Sequence, residues 1–544
     1  MISVMNATKS RLQLPKPEVS ELPSAFADRI GRVYVGSVSD GHKRSLGQYF
    51  TPLEVARFMA GQVVCDKEKI RALDPAAGAG VLACALCEAL AAQPEKPSQI
   101  TLEAYETDRL LADCLEVGML YAKQWLRERG IVLEFKVRRE DFVLANAENL
   151  SGTSLLFPPS LVEDGDFDVI ICNPPYFKLP KSDPRARVAA SVVWGQPNIY
   201  AIFMAISAEM LRNRGEMVFI TPRSYAAGNY FQLFRERFFA RMRPEAIHLF
   251  DSRYDTFSRD EVLQESVILR ARRDDNWWRH VEGNWVAISR SIGVRDLASS
   301  RCRLTPLADV VDVAGKDKVL RIPLADQDDE IVRLVRSWKG SLHRYGMEIS
   351  TGPVVPFRAV PLICQAGDVP ETHAPLLWMQ NVQPMRVDWP VDARRKAQFI
   401  LDNQQSQALL VKNSNYVLLR RFSAKEAARR LIAAPFLASQ INSHVVGLEN
   451  HLNYVHRPRG SLSEDEAYGL AALFNSRLID GYFRTFNGNT QVSATELRAM
   501  PLPPLETIKV LGQRTKELGA DLAAIDSLVE ECVVEREGKL DDES

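Results

Sequence analysis

Between residues 46 and 272, short unbroken apolar runs alternate with longer stretches of helical spacing. The runs Ile70–Leu73, Ile100–Tyr105, Val132–Val137, Val169–Cys172, Glu216–Thr221, Ala246–Phe250 and Ser266–Arg272 predict seven strands. Stretches such as Val81–Ala92, Arg109–Arg129, Tyr200–Arg212 and Tyr230–Arg241 place apolar residues at helical intervals and predict the connections. Strands alternating with helices indicate an α/β fold with a doubly wound, mainly parallel sheet. The last two candidate strands lack a helix between them, which predicts an antiparallel pair at the sheet edge. Residues 1–45 read as a polar extension with one amphipathic piece near Phe26–Val35. Residues 46–290 form the alternating domain. Past residue 300 the rhythm breaks into short β-like pieces with basic clusters, a separate α+β domain over 300–505. Pro501-Leu502-Pro503-Pro504 punctuates its end, and 506–544 reads as a mostly helical tail.

The length of 544 residues exceeds what one ordinary core holds, so two large domains are expected. A content of 46% apolar and 25% charged residues is that of a globular protein. No apolar stretch is long enough to span a bilayer, and the N-terminus lacks the order of a signal peptide, so no membrane partner is expected. Eight scattered cysteines argue for reduced thiols and a cytoplasmic location rather than a disulfide framework. The formal net charge of −1 neither advertises nor excludes nucleic-acid binding, because a local basic face suffices.

The segment from Phe167 to Tyr176 carries the most chemistry. Its apolar run is a fully covered strand that stops at Asn173-Pro174-Pro175-Tyr176. Neither proline donates to a ladder or continues into a helix, so the chain leaves the sheet in an extended turn. Main-chain carbonyls and the Asn173 side chain then present acceptors beside an aromatic ring. Such a site suits a planar amine, each N–H taken by one acceptor and the flat face covered by the ring. That is the requirement for methylating the exocyclic amino group of a nucleobase.

Upstream, Asp74-Pro75-Ala76-Ala77-Gly78-Ala79-Gly80 lies between a strand and a helix. Its small residues let backbone approach a ligand at the helix N-terminus. It matches neither the dinucleotide G-x-G-x-x-G pattern nor a Walker loop, and the acid before the turn suits a cationic, phosphate-free ligand such as S-adenosylmethionine. Glu106, at the next strand end, is placed for a ribose diol, with Asp108 its nearest competitor. Asp141 would accept from an adenine amino group with Phe142 packed on the ring; a helix cap and a core phenylalanine explain the pair equally well. Thr51 and Pro52 suit the start of a helix over Leu53–Met59, and the aromatics Tyr49 and Phe50 before them suit a pocket wall. Phe257, in a loop before a strand, is a candidate second wall for a base. Cys84 and Cys87 share a helix without a second ligand pair, so no metal site is expected.

Taken in order, these motifs resemble the gamma-class DNA adenine-N6 methyltransferases of Type II restriction–modification systems, the TaqI-like group. Gly47 to Pro52 looks like the first motif of that class, Asp74 to Gly80 like its cofactor loop, and Asn173 to Tyr176 like its catalytic N-P-P-Y. Further similar stretches, from Ser350 to Val355, Tyr416 to Phe422, Glu449 to Tyr454 and Asn487 to Val492, extend the resemblance over about residues 45–505. It implies a seven-stranded methyltransferase sheet and a C-terminal target-recognition domain. It implies catalysis by Asn173, Pro174, Pro175, Tyr176 and Phe257, with S-adenosylmethionine held by Tyr49, Thr51, Asp74, Ala76, Gly78, Glu106, Asp141 and Phe142. The expected partner is double-stranded DNA, contacted through Arg420, Arg421, Asn487 and Asn489, with Arg429 and Arg430 as further candidates and a solvated basic face the competing reading for each arginine; a separately encoded restriction endonuclease is the functional counterpart. Methylation of RNA or of a protein glutamine uses the same acceptor geometry, but leaves a further domain of about 200 residues unexplained. A non-catalytic DNA-binding scaffold is the reading from another class.

Overall fold

The computed structural model describes residues 12–39, 50–151, 165–195, 197–251, 265–313, 315, 317–364, 372–391 and 396–540. The chain divides into two compact units, Met1–Leu324 and Ala325–Ser544. Tyr49 and Phe257 lie outside the described residues.

The first unit is built on β1 (Lys69–Asp74), β2 (Gln99–Tyr105), β3 (Val132–Arg138), β4 (Phe167–Cys172), β5 (Leu211–Pro222), β6 (Met242–Phe250), β7 (Ser266–Arg273), β8 (Trp285–Ser291) and β9 (Cys302–Pro306). They form one sheet in the order β3-β2-β1-β4-β5-β7-β6-β8-β9. The first five in that order pair in parallel, and β7 runs antiparallel to both β5 and β6. β4 sits centrally, and all six of its residues are buried. Its alternation serves two cores: Ile170 and Cys172 face one layer, Val169 and Ile171 the other. Helices Leu53–Gly61, Val81–Ala91 and Arg109–Arg127 cover the second face, and helices Ile199–Met210 and Gln232–Arg241 the first. Burying both faces is what makes a near-continuous apolar run a central strand.

Three expectations need correction. The sheet has nine strands, not seven, because β8 pairs in parallel with β6 and β9 closes antiparallel on β8. The antiparallel pair β6 and β7 is therefore interior, and the apolar run Val267–Leu269 is buried on both sides as a central strand must be. The units part after Leu324, so the chain from 300 to 324 belongs with the first unit and not with the second.

The second unit opens with helix Asp326–Ser337 and continues through β10 (Glu348–Thr351), β11 (Ile363–Cys364), β12 (His373–Leu377), β13 (Val382–Gln383), β14 (Arg386–Val387), β15 (Phe399–Leu401), β16 (Leu410–Lys412), β17 (Tyr416–Arg420), β18 (Ala433–Phe436), β19 (Val445–Leu448) and β20 (Leu452–His456). They make a four-stranded sheet β10-β20-β17-β18, a five-stranded sheet β11-β15-β12-β19-β16 and the small pair β13-β14. Helices Glu464–Asn475 and Arg477–Phe486 follow, then Leu505–Leu518 and Leu522–Leu540. The segment expected to be a tail is integral. Gly469 and Gly512 bring helices Glu464–Asn475 and Leu505–Leu518 so close that a Cβ on either would strike a main-chain oxygen of the other helix.

Candidate active site

The C-terminal ends of β1, β2 and β4 open onto one cavity of about 310 Å3. A ligand crevice at this end of an open α/β sheet is the general rule. Phe50, Thr51, Ala76, Gly78, Glu106, Asp141, Phe142, Asn173, Pro174 and Pro175 all line it.

The loop after β1 turns through Gly78 at φ 56° and Gly80 at φ 90°, conformations that glycine alone adopts without strain. A Cβ on Gly80 would also lie 2.7 Å from Leu115 Cδ1, so the turn is fixed by packing as well. The Asp74 carboxylate is fully buried: Oδ1 accepts from the Ala76 N–H at 3.3 Å, and Oδ2 has no hydrogen-bond partner. Burial pushes its pKa up to about 7, the Ala76 N–H opposes that, and the nearby Glu106 adds to it. Glu106 accepts from the Asp108 N–H at 2.8 Å, and burial raises its pKa to about 7. Asp108 instead caps helix Arg109–Arg127, accepting from the Leu111 N–H at 2.9 Å. The two competitors for the ribose position thus divide: Glu106 lines the cavity and Asp108 serves a helix end.

Asp141 caps the short helix Phe142–Ala145 through the Leu144 N–H at 3.0 Å and also lines the cavity, with Arg185 at 3.6 Å. Capping and cavity lining coexist in one side chain. Phe142 is buried against Tyr105, edge-on at 5.2 Å, and against Phe203 at 5.0 Å.

Asn173 is buried where β4 ends. Its Nδ2 donates to Thr51 Oγ1 at 3.0 Å, and its Oδ1 lies 2.6 Å from the Tyr176 hydroxyl, which also faces the Ile220 carbonyl at 3.0 Å. Thr51 therefore does not cap the helix that follows. That helix, Leu53–Gly61, starts after Pro52 without a side-chain cap, and the Thr51 hydroxyl orients the amide instead. Tyr176 is half-buried, its ring 6.3 Å from Tyr200 and perpendicular to it. It does not border the cavity, whereas Phe177 does.

Sequence reasoning missed Phe177, Arg185, Ile199 and Phe203 as lining residues. Phe177 follows the N-P-P-Y run directly, and Ile199 and Phe203 share a helix face at i and i+4, so both signals were present. Arg185 reaches the cavity through a bidentate contact with Asp183 and a position over the Phe177 ring at 5.5 Å, which no local pattern announces. Cys84 and Cys87 are buried in their helix, and burial lifts the Cys87 thiol to about 12.

The candidate DNA contacts of the second unit fare differently. Asn487 is buried, donating to the Gln491 carbonyl and to Glu496 while accepting from Arg430. Arg420 donates to the Val382 carbonyl at 2.6 Å and to Gln383 at 2.9 Å, and burial lowers its pKa. These two side chains are engaged inside the unit in this arrangement. Arg421 and Asn489 are half-buried, with Arg421 donating to the Asn450 carbonyl at 2.9 Å. Among the described residues, no helix is long and apolar enough to cross a membrane.

Comparison with known proteins gives the site a lineage. Residues 103–257 match the Eco57I restriction-modification methylase family. The chain is 31% identical to the Type II methyltransferase M.BsuBI of Bacillus subtilis over 502 residues, covering 91% of this chain and 96% of that protein. It is 28% identical to the Type II methyltransferase M.PstI of Providencia stuartii, covering 93% of this chain and 97% of that protein. The solved type IIG restriction endonuclease BpuSI is a looser likeness, at 15% identity and a TM-score of 0.41 over 94% of this chain and 68% of its own. With M.BsuBI matched almost end to end, the chain belongs to the Type II methyltransferases of restriction–modification systems.

Proposed function

We propose that the protein moves a methyl group from S-adenosylmethionine to N6 of an adenine swung out of duplex DNA, at a defined sequence. One observation carries this reading. Asn173 is a buried amide held by Thr51, and it opens with Pro174 and Pro175 onto the cavity that Gly78 and Glu106 also line.

The residues present fit the cofactor. A buried Asp74 oxygen without a partner suits a ligand that brings positive charge, and Glu106 at the neighbouring strand end suits a ribose diol. Gly78 and Ala76 allow close approach, Asp141 accepts from the adenine amino group, and Phe142 and Phe50 wall the ring. Tyr49 and Phe257 complete the walls in this proposal. When bound, S-adenosylmethionine supplies a sulfonium methyl open to attack by a lone pair.

The chain's own work is to prepare that lone pair. Asn173 Oδ1 and the Pro174 carbonyl accept hydrogen bonds from the two N6–H groups, which draws the amine toward a tetrahedral geometry, and the proton that N6 sheds on being methylated passes to solvent. The Tyr176 hydroxyl gives up Oδ1 to the incoming N–H, and its ring is released to stack on the base. Extrusion costs roughly a few kcal/mol. Stacking of about 1–3 kcal/mol per base offsets it. Placement is the main catalytic device, as in any reaction made effectively unimolecular by a site. The second unit reads the sequence, with Arg421 and Asn489 as its remaining contact candidates, and a restriction endonuclease sharing that sequence is the functional counterpart.

The test is to incubate the chain with labelled S-adenosylmethionine and, in parallel, unmodified genomic DNA, RNA and glutamine peptides. Label recovered as N6-methyladenine from duplex DNA supports the proposal. Label confined to RNA or peptide, or found on cytosine, overturns it.

A further inference from the structure

Outside the cavity, two large rings stand in water. Trp194 is 45% exposed and Tyr230 is 53% exposed, with centroids 5.2 Å apart and planes inclined at 49°. Trp and Tyr are enriched at interfaces relative to the rest of a protein surface. Trp194 lies on the loop between β4 and helix Ile199–Met210, and Tyr230 on the segment after β5. Trp194 thus follows a strand end at which the cavity opens, and Tyr230 follows β5, the parallel neighbour of that strand.

Their connection to the site is physical. The Leu179 N–H donates to the Pro197 carbonyl at 2.8 Å, and the Ile199 N–H to the Phe177 carbonyl at 3.0 Å, which ties both ends of the loop beside a cavity-lining ring. Phe231, next to Tyr230, stacks on Tyr200 at 5.6 Å, and Tyr200 meets Tyr176 edge-on. The exposed pair is thus the outer end of an aromatic series that starts at the N-P-P-Y turn. Gly195 turns at φ 74°, and a Cβ there would lie 2.9 Å from the Tyr230 ring, so the loop brings its backbone hard against that ring.

The charge of the segment that carries Trp194 points to a partner. Lys178, Lys181 and Arg187 on the same loop are exposed and have no ion-pair partner among the described residues. The loop's one acid among them, Asp183, is already neutralised by Arg185. Flat rings on a loop that also carries cations with no ion-pair partner among the described residues are a combination suited to unstacked nucleotides, rings on bases and cations on phosphates.

We propose that Trp194 and Tyr230 form a stacking shelf for a nucleotide neighbouring the extruded base, with Lys178, Lys181 and Arg187 on the adjacent phosphates. The shelf rests on the reading of duplex DNA as the substrate, and it assigns these five side chains a positioning role rather than a chemical one.

The test compares the wild type with W194A, the W194A/Y230A pair and the conservative W194F/Y230F pair. Each is measured for KM on unmodified genomic DNA, kcat at saturating DNA, S-adenosylmethionine affinity by titration calorimetry, and thermal midpoint. W194A/Y230A raises KM for DNA by about 10- to 100-fold, with cofactor affinity and thermal midpoint unchanged, and W194F/Y230F recovers most of the loss. Replacing Lys178, Lys181 and Arg187 together by Ala lowers the salt slope of DNA binding by about 0.9 for each phosphate no longer neutralised. A W194A/Y230A enzyme whose KM for DNA stays within about twofold of wild type, on DNA that the wild type does methylate, removes the shelf alone. A wild type that methylates no duplex DNA removes the proposed function and the shelf with it.

Discussion

The two units use their polar side chains in opposite ways. In the first, Asn173, Glu106 and Asp141 stand at strand ends and face a common cavity. In the second, Arg420, Arg430 and Asn487 turn inward and bond to their own unit. The difference teaches what a motif is worth. At a strand end, the backbone decides where the next side chain goes, and spacing in sequence becomes position in space. In a domain of short strands and loops, an arginine or asparagine is as readily a structural clamp as a reader of bases, because a buried main-chain carbonyl needs a donor just as a base edge does.

Asn173→Ala tests the first half of that comparison most severely. Turnover should fall by about 100- to 1000-fold, the usual loss when one preorganised group at a reacting centre is removed. Cofactor affinity should stay within about tenfold, or roughly 1.4 kcal/mol. Single-turnover kinetics with calorimetric titration of S-adenosylmethionine checks both, and wild-type turnover would end the scheme.

Asn487→Ala tests the second half. Removing that side chain takes one buried bond each from Arg430 and Glu496, which keep their bonds to Ser423 and to the Ser493 N–H, so the thermal stability should drop by about 1–3 kcal/mol. Asn489→Ala should leave stability within about 0.5 kcal/mol, as for ordinary surface changes, and act on DNA binding alone. If the two variants lose DNA affinity equally without any loss of stability, the inward orientation of Asn487 is not the one that matters.

The carboxylates of the first unit give a pH test. Asp74 and Glu106 both have pKa values raised to about 7, so in the empty protein they favour the protonated form. Their contribution to folding stability therefore declines as pH rises from about 4 to about 7. A cationic ligand reverses the preference, because it needs the ionised form. S-adenosylmethionine affinity should rise with pH up to about 7 and level off above, and Asp74→Asn should flatten part of that rise. Calorimetry between pH 5.5 and 8.5 reads it, and a flat wild-type profile would detach these groups from the cofactor.

The smallest expected effect belongs to Thr51→Val. It removes the acceptor for Asn173 Nδ2 while keeping the side-chain volume, at about 0.5–1.5 kcal/mol, or roughly a threefold to tenfold loss in kcat. Unchanged kcat would mean that the Tyr176 contact and packing hold the amide without Thr51.

The same contrast explains what the sequence made legible. β4 and its exit were readable because a strand buried on both faces shows an unbroken apolar run, and two prolines mark its end without ambiguity. The glycine turn after β1 was readable because positive φ angles demand glycine. Thr51 was misread because Thr-Pro before an apolar run is a sound local cap signal, and a long-range partner, 122 residues away, outcompeted it. β8 and β9 were missed because both are partly exposed near the sheet edge, which dilutes their alternation. The helix Leu505–Leu518 looked like an appendage because the glycine pair that docks it is split between segments more than 40 residues apart, Gly469 and Gly512.

The Tyr176–Asn173 contact sets a condition on what can reach the amide. With its amide oxygen already served by a phenol, Asn173 offers drifting water or a stray small amine little incentive to lodge there. A visitor must arrive with both its own N–H donor and enough flat surface to compensate for evicting the tyrosine. On the proposed function, the lock is therefore turned by size and chemistry together, so that a methyl donor in the cavity would be spent only on a partner meeting both demands.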